Sequence, residues 1–236
     1  MRIQFIKISL VIVSMTSERI PVLELPILRE GIFISRPNRF VSEIEYNNEI
    51  SLAHIHDPGR LEELLVPGSK ILFTDSKGKL DFYIKAVKAD EEWVLIDTSL
   101  HSKIASRIFS ILPEFSDLKE LKSEVPIGSS RIDFLIDGIP LEVKGVTLVK
   151  DGIALFPDAP TERGTRHVQE IMDHNGIIMF LVFRKATSFL PNFETDPKFS
   201  KKLSEARRKN IKIIVLQLSF DGKKIYFQGK IPLSQF

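Results

Sequence analysis

The dipeptide Asp137-Gly138, set between two runs of alternating polarity, constrains this chain more than any other feature. An Asp-Gly pair supplies the two positive-φ residues of a type I′ turn, whose twist matches that of paired strands. A hairpin closed this way has one register, in which Ile136 faces Ile139, Phe134 faces Leu141, Asp133 faces Glu142 and Arg131 faces Lys144. Side chains alternate between faces along a strand. Ile132, Phe134, Leu141 and Val143 therefore share an apolar face, and Arg131, Asp133, Glu142 and Lys144 share the other.

On that polar face Asp133 and Glu142 become direct cross-strand neighbours, with Cβ atoms about 4.5–5.5 Å apart. Two carboxylates so placed repel each other, and a hard divalent cation between them, Mg²⁺ or Mn²⁺, removes the repulsion. Mg²⁺ commonly takes one or two carboxylates and completes its shell with water and substrate phosphate. Lys144, two residues along, adds a fixed positive charge for a bound phosphate or an attacking water. The same spacing also builds two exposed salt bridges, Asp133 with Lys144 and Arg131 with Glu142, which contribute little to stability. Spacing alone leaves both arrangements open.

The text around the hairpin sets its scaffold. The first hundred residues read as short strands at 31–34, 40–46, 50–55, 70–73, 81–88 and 93–98. A short helix is expected at 61–66, between Pro58-Gly59-Arg60 and Pro67-Gly68. Five or six short strands with one small helix suit a closed OB-like barrel. The pattern then changes. Ile104, Ile108 and Leu112 recur at helical spacing, and strands follow at 124–127, 130–136, 141–149 and 153–156. A helix over 160–174 is closed by Gly176, and the unbroken apolar run 177–183 reads as a strand buried on both faces. Asp196-Pro197 opens a further helix as N-cap and first helical residue. Strands at 211–220 and 225–228 meet at Asp221-Gly222. The expected fold is mixed α+β: an extension over 1–27, an OB-like barrel over 28–99 and an α/β domain over 100–236. Separate cores are expected on either side of Leu100.

Composition narrows the function classes. With 236 residues, 43% hydrophobic and 27% charged, the chain is globular rather than disordered or coiled-coil. The absence of cysteine removes disulfide scaffolds, thiolate metal sites, iron–sulfur clusters and cysteine nucleophiles. Thirty-three basic against 31 acidic residues leave a net charge of +2, so any basic surface is local. Arg2 and Lys7 precede the apolar run 8–13, which is shorter than a secretory h-region and is followed by no small-x-small cleavage site. Elsewhere no stretch approaches the roughly 18 apolar residues of a membrane span. A cytoplasmic protein without a membrane partner is expected, with Met15 as an alternative start.

Several further residues carry candidate chemistry. Arg163, Arg166, His167 and Glu170 form one polar helical stripe, either solvated or turned towards a site. The start of that helix, near Thr161, offers backbone N–H groups and a positive dipole end to phosphate. Glu124 is either an additional carboxylate at the metal or a surface residue. His54, Asp57, Gly59 and Arg60 form the densest polar cluster of the first half. There Gly59 permits close backbone approach and Arg60 can meet phosphate; His54 as a barrel residue and Asp57 as a helix cap are the structural alternatives. Among Phe33, Phe40, Tyr46, Phe73, Phe82, Tyr83 and Trp93, base-stacking platforms compete with barrel core. Residues 198–212 hold seven basic side chains against Glu205, a solvated face or a backbone contact.

Asp133 followed by Glu142-Val143-Lys144 on the next strand resembles the PD-(D/E)xK nuclease core. The longer strings Ser130-Arg131-Ile132-Asp133-Phe134, Glu142-Val143-Lys144-Gly145-Val146-Thr147-Leu148 and Phe156-Pro157-Asp158-Ala159-Pro160-Thr161-Glu162-Arg163-Gly164-Thr165-Arg166-His167 resemble the sugar fermentation stimulation protein family. The likeness extends to residues 36–41, to Ala53-His54 and to 58–68, and covers about 28–220. Where many members carry Pro-Asn-Thr, this chain has His56-Asp57-Pro58. The resemblance implies an OB-like domain, a PD-(D/E)xK-like domain, DNA as partner and a regulatory link to sugar utilisation. It implies Asp133 and Glu142 as ligands of Mg²⁺ or Mn²⁺, and these two with Lys144 as the catalytic residues. Candidate nucleic-acid contacts are Arg39, Arg60, Arg131, Thr161, Arg163 and His167. A metal-dependent nuclease-like protein, a non-catalytic DNA-binding transcriptional regulator and an enzyme acting on another phosphorylated substrate all fit, as do monomer and homodimer. Because the candidate basic residues are Arg and Lys without a groove-reading motif, affinity should fall steeply with salt, which a titration at rising KCl checks.

Overall fold

The computed structural model describes residues 19–128 and 130–236. The apolar run 8–13 and Met15 lie outside the described residues. Among the described residues no helix is long and apolar enough to cross a membrane.

The first half contains β1 (Ile20–Glu24), β2 (Arg29–Asn38), β3 (Val41–Tyr46), β4 (Glu49–His54), β5 (Lys70–Asp75), β6 (Phe82–Ala89) and β7 (Glu92–Leu95). Strands β2 to β6 lie in the order β4-β3-β2-β5-β6, and β4 returns to β6 through Ala53↔Phe82 and His54↔Tyr83. This closed five-stranded set is the expected OB-like barrel. Phe33, Ile44, Ile71, Phe73 and Ile84 fill it. The expected helix at 61–66 is a single turn instead. Leu61 adopts φ 54, and the N–H groups of Leu64 and Leu65 both donate to its carbonyl. Two Pro-Gly pairs leave too few residues to propagate a helix, while burial of Leu61, Leu64 and Leu65 holds the turn in place.

The second half runs α1 (His101–Phe109), β8 (Leu121–Ile127), β9 (Ser130–Ile136), β10 (Ile139–Val146), β11 (Leu148–Lys150), β12 (Ile153–Phe156), α2 (Glu162–Asp173), β13 (Ile177–Val182), β14 (Ser188–Pro191), α3 (Pro197–Arg208), β15 (Lys212–Phe220) and β16 (Lys224–Lys230). Strands β8, β9 and β10 form an antiparallel meander. Helix α2 then crosses to β13, which lies parallel to β10, and α3 crosses to β15, parallel to β13. β13 is buried along its whole length, as its unbroken apolar text requires. Met179 and Leu181 face one core, and Ile178, Phe180 and Val182 face the other, beneath α2 and α3.

The two halves do not keep separate cores. β7 meets β15 at Trp93↔Phe220, so one 13-stranded sheet passes through both. The barrel interior, α1 and one face of the second sheet make a single apolar cluster. Within the expected N-terminal extension, Ile20–Glu24 forms β1 on the edge of β16. Its partner lies about two hundred residues away, which no local pattern reveals.

Candidate functional site

The Asp137-Gly138 turn forms with both residues at positive φ, 48 and 83, and sets the pairs Ile136↔Ile139 and Phe134↔Leu141. The ladder stops there. The Val143 N–H donates to Asp133 Oδ2 at 2.7 Å instead of to a strand carbonyl, so the expected pairs Asp133↔Glu142 and Arg131↔Lys144 are not made. An aspartate next to a ladder position competes for backbone donors in this way. The apolar face divides at the same point. Ile132 packs in the second core with Val168 and Ile171, whereas Phe134, Leu141 and Val143 line the first.

Glu142 is buried, with 4% of its surface exposed, beneath α2. Its Oε1 accepts from Lys144 Nζ at 2.5 Å and from His167 Nδ1. Arg163 Nε donates to His167 Nε2 at 3.2 Å, which fixes the imidazole as the Nδ1–H tautomer. The second oxygen, Oε2, is buried and has no hydrogen-bond partner among the described residues. Burial opposes ionisation of Glu142, but the Lys144 ammonium and the His167 hydrogen bond outweigh it and hold the carboxyl down at about 2. Asp133 is shifted the other way. Burial, and then the charge on Glu142, push it up to about 6, and Glu124 adds to this. One carboxylate is thus kept charged and its neighbour is disfavoured in the charged form. The two exposed salt bridges that the spacing also allowed do not form, because Glu142 lies inside and takes both Lys144 and His167.

The helical stripe meets the strands along one side: His167 is buried and Glu170 half-buried, while Arg163 and Arg166 keep exposed surface. Arg166 Nε donates to Ser130 Oγ at 3.2 Å, and Ser130 Oγ donates to Glu170 Oε1 at 3.0 Å. Thr161 caps α2 by accepting from the Gly164 N–H at 2.9 Å, and its own N–H donates to Asp196 Oδ2 at 2.8 Å. Asp196 also caps α3 through the Phe199 N–H, so one carboxylate ties the starts of both helices.

Beside Lys144 opens a cleft of about 460 Å³ between the two halves, lined by Arg39 and Gly59 from the barrel, His101 of α1, Lys144 and Gly145 of β10, and Thr161 and Arg163 at α2. Of the sequence candidates, Lys144, Arg39, Thr161 and Arg163 meet at this cleft. His167 is buried behind it on Glu142, Arg131 is exposed on β9, and Arg60 is exposed without lining the cleft. His54 sits on the barrel surface side by side with Tyr83.

Four residues contribute that local pattern did not single out. Ser130 joins Arg166 to Glu170. Arg36 donates to the carbonyls of Arg39, Asp57, Gly59 and Arg60 at 2.5–3.0 Å and thereby shapes the loop at the cleft mouth. Asp158 receives that loop: a Cβ on Gly59 would lie 2.4 Å from Asp158 Oδ2, so the close approach expected at Gly59 is to the other half of the chain. In the same loop Asp57 caps no helix; it accepts from the Gly59 N–H at 2.7 Å, and burial lifts it to about 7. His101 stacks on Phe183 against Gly145. A lone histidine or arginine carries no periodic signal, and only the longer strings containing Arg36 and Asp158 pointed to them.

Both halves of the chain match known protein families. The Sugar fermentation stimulation protein RE domain matches residues 99–224, and the SfsA N-terminal OB domain matches residues 34–96. The chain belongs to the sugar fermentation stimulation protein family. A homologue of that name from Saccharolobus solfataricus is 42% identical over 87% of this chain and 85% of its own length. One from Sulfurisphaera tokodaii is 43% identical over 88% and 91%. The solved structure of Pyrococcus furiosus SfsA in complex with Ca²⁺ is similar with a TM-score of 0.86 and 29% identity, covering 92% of this chain and all of that one. In the chain described here, the region matched by the RE domain brings Lys144, Thr161 and Arg163 to the cleft, with Glu142 buried behind Lys144, and the region matched by the OB domain brings Arg39 and Gly59 to the opposite wall.

Proposed function

We propose that the site binds nucleic acid through its phosphates and hydrolyses phosphodiesters with a divalent cation held by Asp133 and Glu142. The observation that carries this reading is the buried Glu142 Oε2, a charged oxygen with no hydrogen-bond partner among the described residues, beside a second carboxylate that resists ionisation. Leaving such an oxygen unsatisfied is costly, and a hard cation is the partner that suits two carboxylates. The residues fit Mg²⁺ or Mn²⁺. Among the described residues no three His, Asp or Glu groups converge as a cation cage, and Mg²⁺ is a metal that retains waters and substrate phosphate in its shell. The Ca²⁺ complex of the Pyrococcus furiosus relative supports a divalent-cation site in the family.

Bound there, the cation would supply Lewis acidity towards the phosphate and lower the pKa of a water. The chain's own residues do the rest. His167 and Lys144 hold Glu142 ionised through Oε1 and leave Oε2 available. Arg163 keeps His167 in the tautomer that donates to Glu142. Lys144 places positive charge at the cleft, where Thr161 and Arg163 at the start of α2, and Arg39 opposite, offer phosphate contacts.

Cleavage of single- and double-stranded DNA and RNA with Mg²⁺ or Mn²⁺ tests the proposal. Lys144→Ala is expected to keep Mn²⁺ binding in calorimetric titration, because it removes a charge that competes for Glu142. Its hydrolysis should fall about 100-fold or more, the scale of losing one positioned electrostatic group. DNA binding by the wild type with neither saturable Mn²⁺ uptake nor cleavage would favour a DNA-binding regulator that retains the fold, in keeping with the sugar-utilisation link in the family's name.

A further inference from the structure

The barrel carries a row of rings that hydrolysis does not use. Phe40 is 47% exposed, and its ring lies nearly parallel to that of His54, with centroids 6.4 Å apart and 20° between planes. His54 meets Tyr83 edge-on at 5.2 Å, and His56 lies tilted to it at 5.8 Å. The row follows from barrel closure: His54 is paired with Val41 on β3 and with Tyr83 on β6. It is also held from beneath. Tyr83 donates to the fully buried Asp97 at 2.5 Å, and Lys85 Nζ sits 3.3 Å from the Tyr83 ring centroid while bonding the other Asp97 oxygen at 2.6 Å.

The row leads to the cleft from both ends. Arg39, next to Phe40 in the chain, lines it, and His56 Nδ1 lies 3.2 Å from the hydroxyl of Thr98, which also lines it. Phe33 and Phe73 are core, so the exposure of Phe40 is not a requirement of barrel packing. A row of rings on a sheet, with Phe40 exposed and His54 and Tyr83 half-buried beside Arg39 and Lys85, suits stacking of nucleobases, and the strand face of an OB-fold is where oligonucleotides are met. A duplex keeps its base faces inside its own stack, so such rings can engage only unpaired bases. We infer that Phe40, His54 and Tyr83 form a stacking platform for a single-stranded nucleic-acid segment, which passes Arg39 into the cleft at Lys144. The inference rests on the reading above that this cleft binds nucleic acid.

The test is fluorescence anisotropy of the full chain with a labelled single strand of about 20 nucleotides, longer than the roughly 4–16 that one OB-fold covers, and with the matching duplex, both in EDTA. The single strand should bind at least about tenfold more tightly than the duplex. Phe40→Ala should weaken the single strand about 5- to 100-fold, the cost of one lost base stack, and weaken the duplex less. Phe40→Trp should restore single-strand binding. If Phe40→Ala melts below the wild type, Phe40→Leu, which keeps the apolar volume without the ring, decides the matter. Equal affinity for the two forms, or full single-strand affinity in folded Phe40→Ala and Phe40→Leu, overturns the platform. Arg163→Ala, lowering both affinities in that event, would leave the cleft reading standing. Binding of neither form overturns both.

Discussion

Asp133→Asn should yield a protein that is more stable than the wild type at pH 8 without metal and that, on the proposed function, has lost hydrolysis. Asp133 titrates near 3.8 when unfolded and about 6 when folded, so between these values the folded chain binds more protons. Stability therefore falls as pH rises through that window. Two units at about 1.4 kcal/mol each set an upper bound of roughly 3 kcal/mol, and partial exposure lowers it to the order of 1–2. Asparagine retains the oxygen that accepts the Val143 N–H and removes the charge that Glu142 opposes. Thermal scans in EDTA should place Asp133→Asn a few degrees above wild type at pH 8 and level with it near pH 4. Asp57, lifted to about 7 mainly by burial, gives the wild type and the variant the same further decline between about pH 4 and 7. Glu142 acts with the opposite sign. Its folded value of about 2 lies below the unfolded 4.5, so its contribution is complete above 4.5 and is lost as pH falls towards 2. Mn²⁺ should raise the melting temperature of the wild type by mass action and scarcely move Asp133→Asn. A variant that melts below wild type at pH 8 in EDTA would end the repulsion account.

Gly145→Ala should cause the largest loss of stability among single-methyl changes near the site. The new Cβ would stand 2.1 Å from His101 Cε1 and 2.7 Å from Nε2. Neither side can yield easily. Gly145 is paired with Leu181 inside the β10–β13 ladder, and the His101 ring lies 5.2 Å from Phe183 at 19°. Burial drives His101 down to about 4, so at neutral pH it is an uncharged packing element. Overpacking at a site closed on both sides costs about 3 kcal/mol, the upper part of the usual range. For a chain of this length that is roughly 6–12 °C in melting temperature. Because Lys144 precedes Gly145, the hydrolysis proposed for the site should fall with it. His101→Ala combined with Gly145→Ala should recover part of the loss, since the two changes share one clash. A single variant melting within about 1 °C of wild type would show that the strand shifts freely and that Lys144 is not fixed by this contact.

The sequence alone determined what depends on neighbours in the chain. Asp137-Gly138 dictated a turn with two positive-φ residues, and with it the pairs Ile136↔Ile139 and Phe134↔Leu141. The cap at Asp196, a helix start near Thr161 and the unbroken apolar run of β13 were legible for the same reason: capping and alternation act over a few residues. Tertiary structure decided the rest. Alternation assigned Glu142 to a polar face, but only the crossing of α2 buried that carboxylate and delivered His167 to Oε1. The register beyond Phe134 was lost because Asp133 captured a backbone donor, a competition that pairing rules do not contain. β1, the shared core and the fit of Gly59 on Asp158 each join segments far apart in the chain. A local pattern states which face of an element is apolar or charged; what comes to cover that face, and so the charge state and reach of Asp133 and Glu142, is fixed only when distant segments pack.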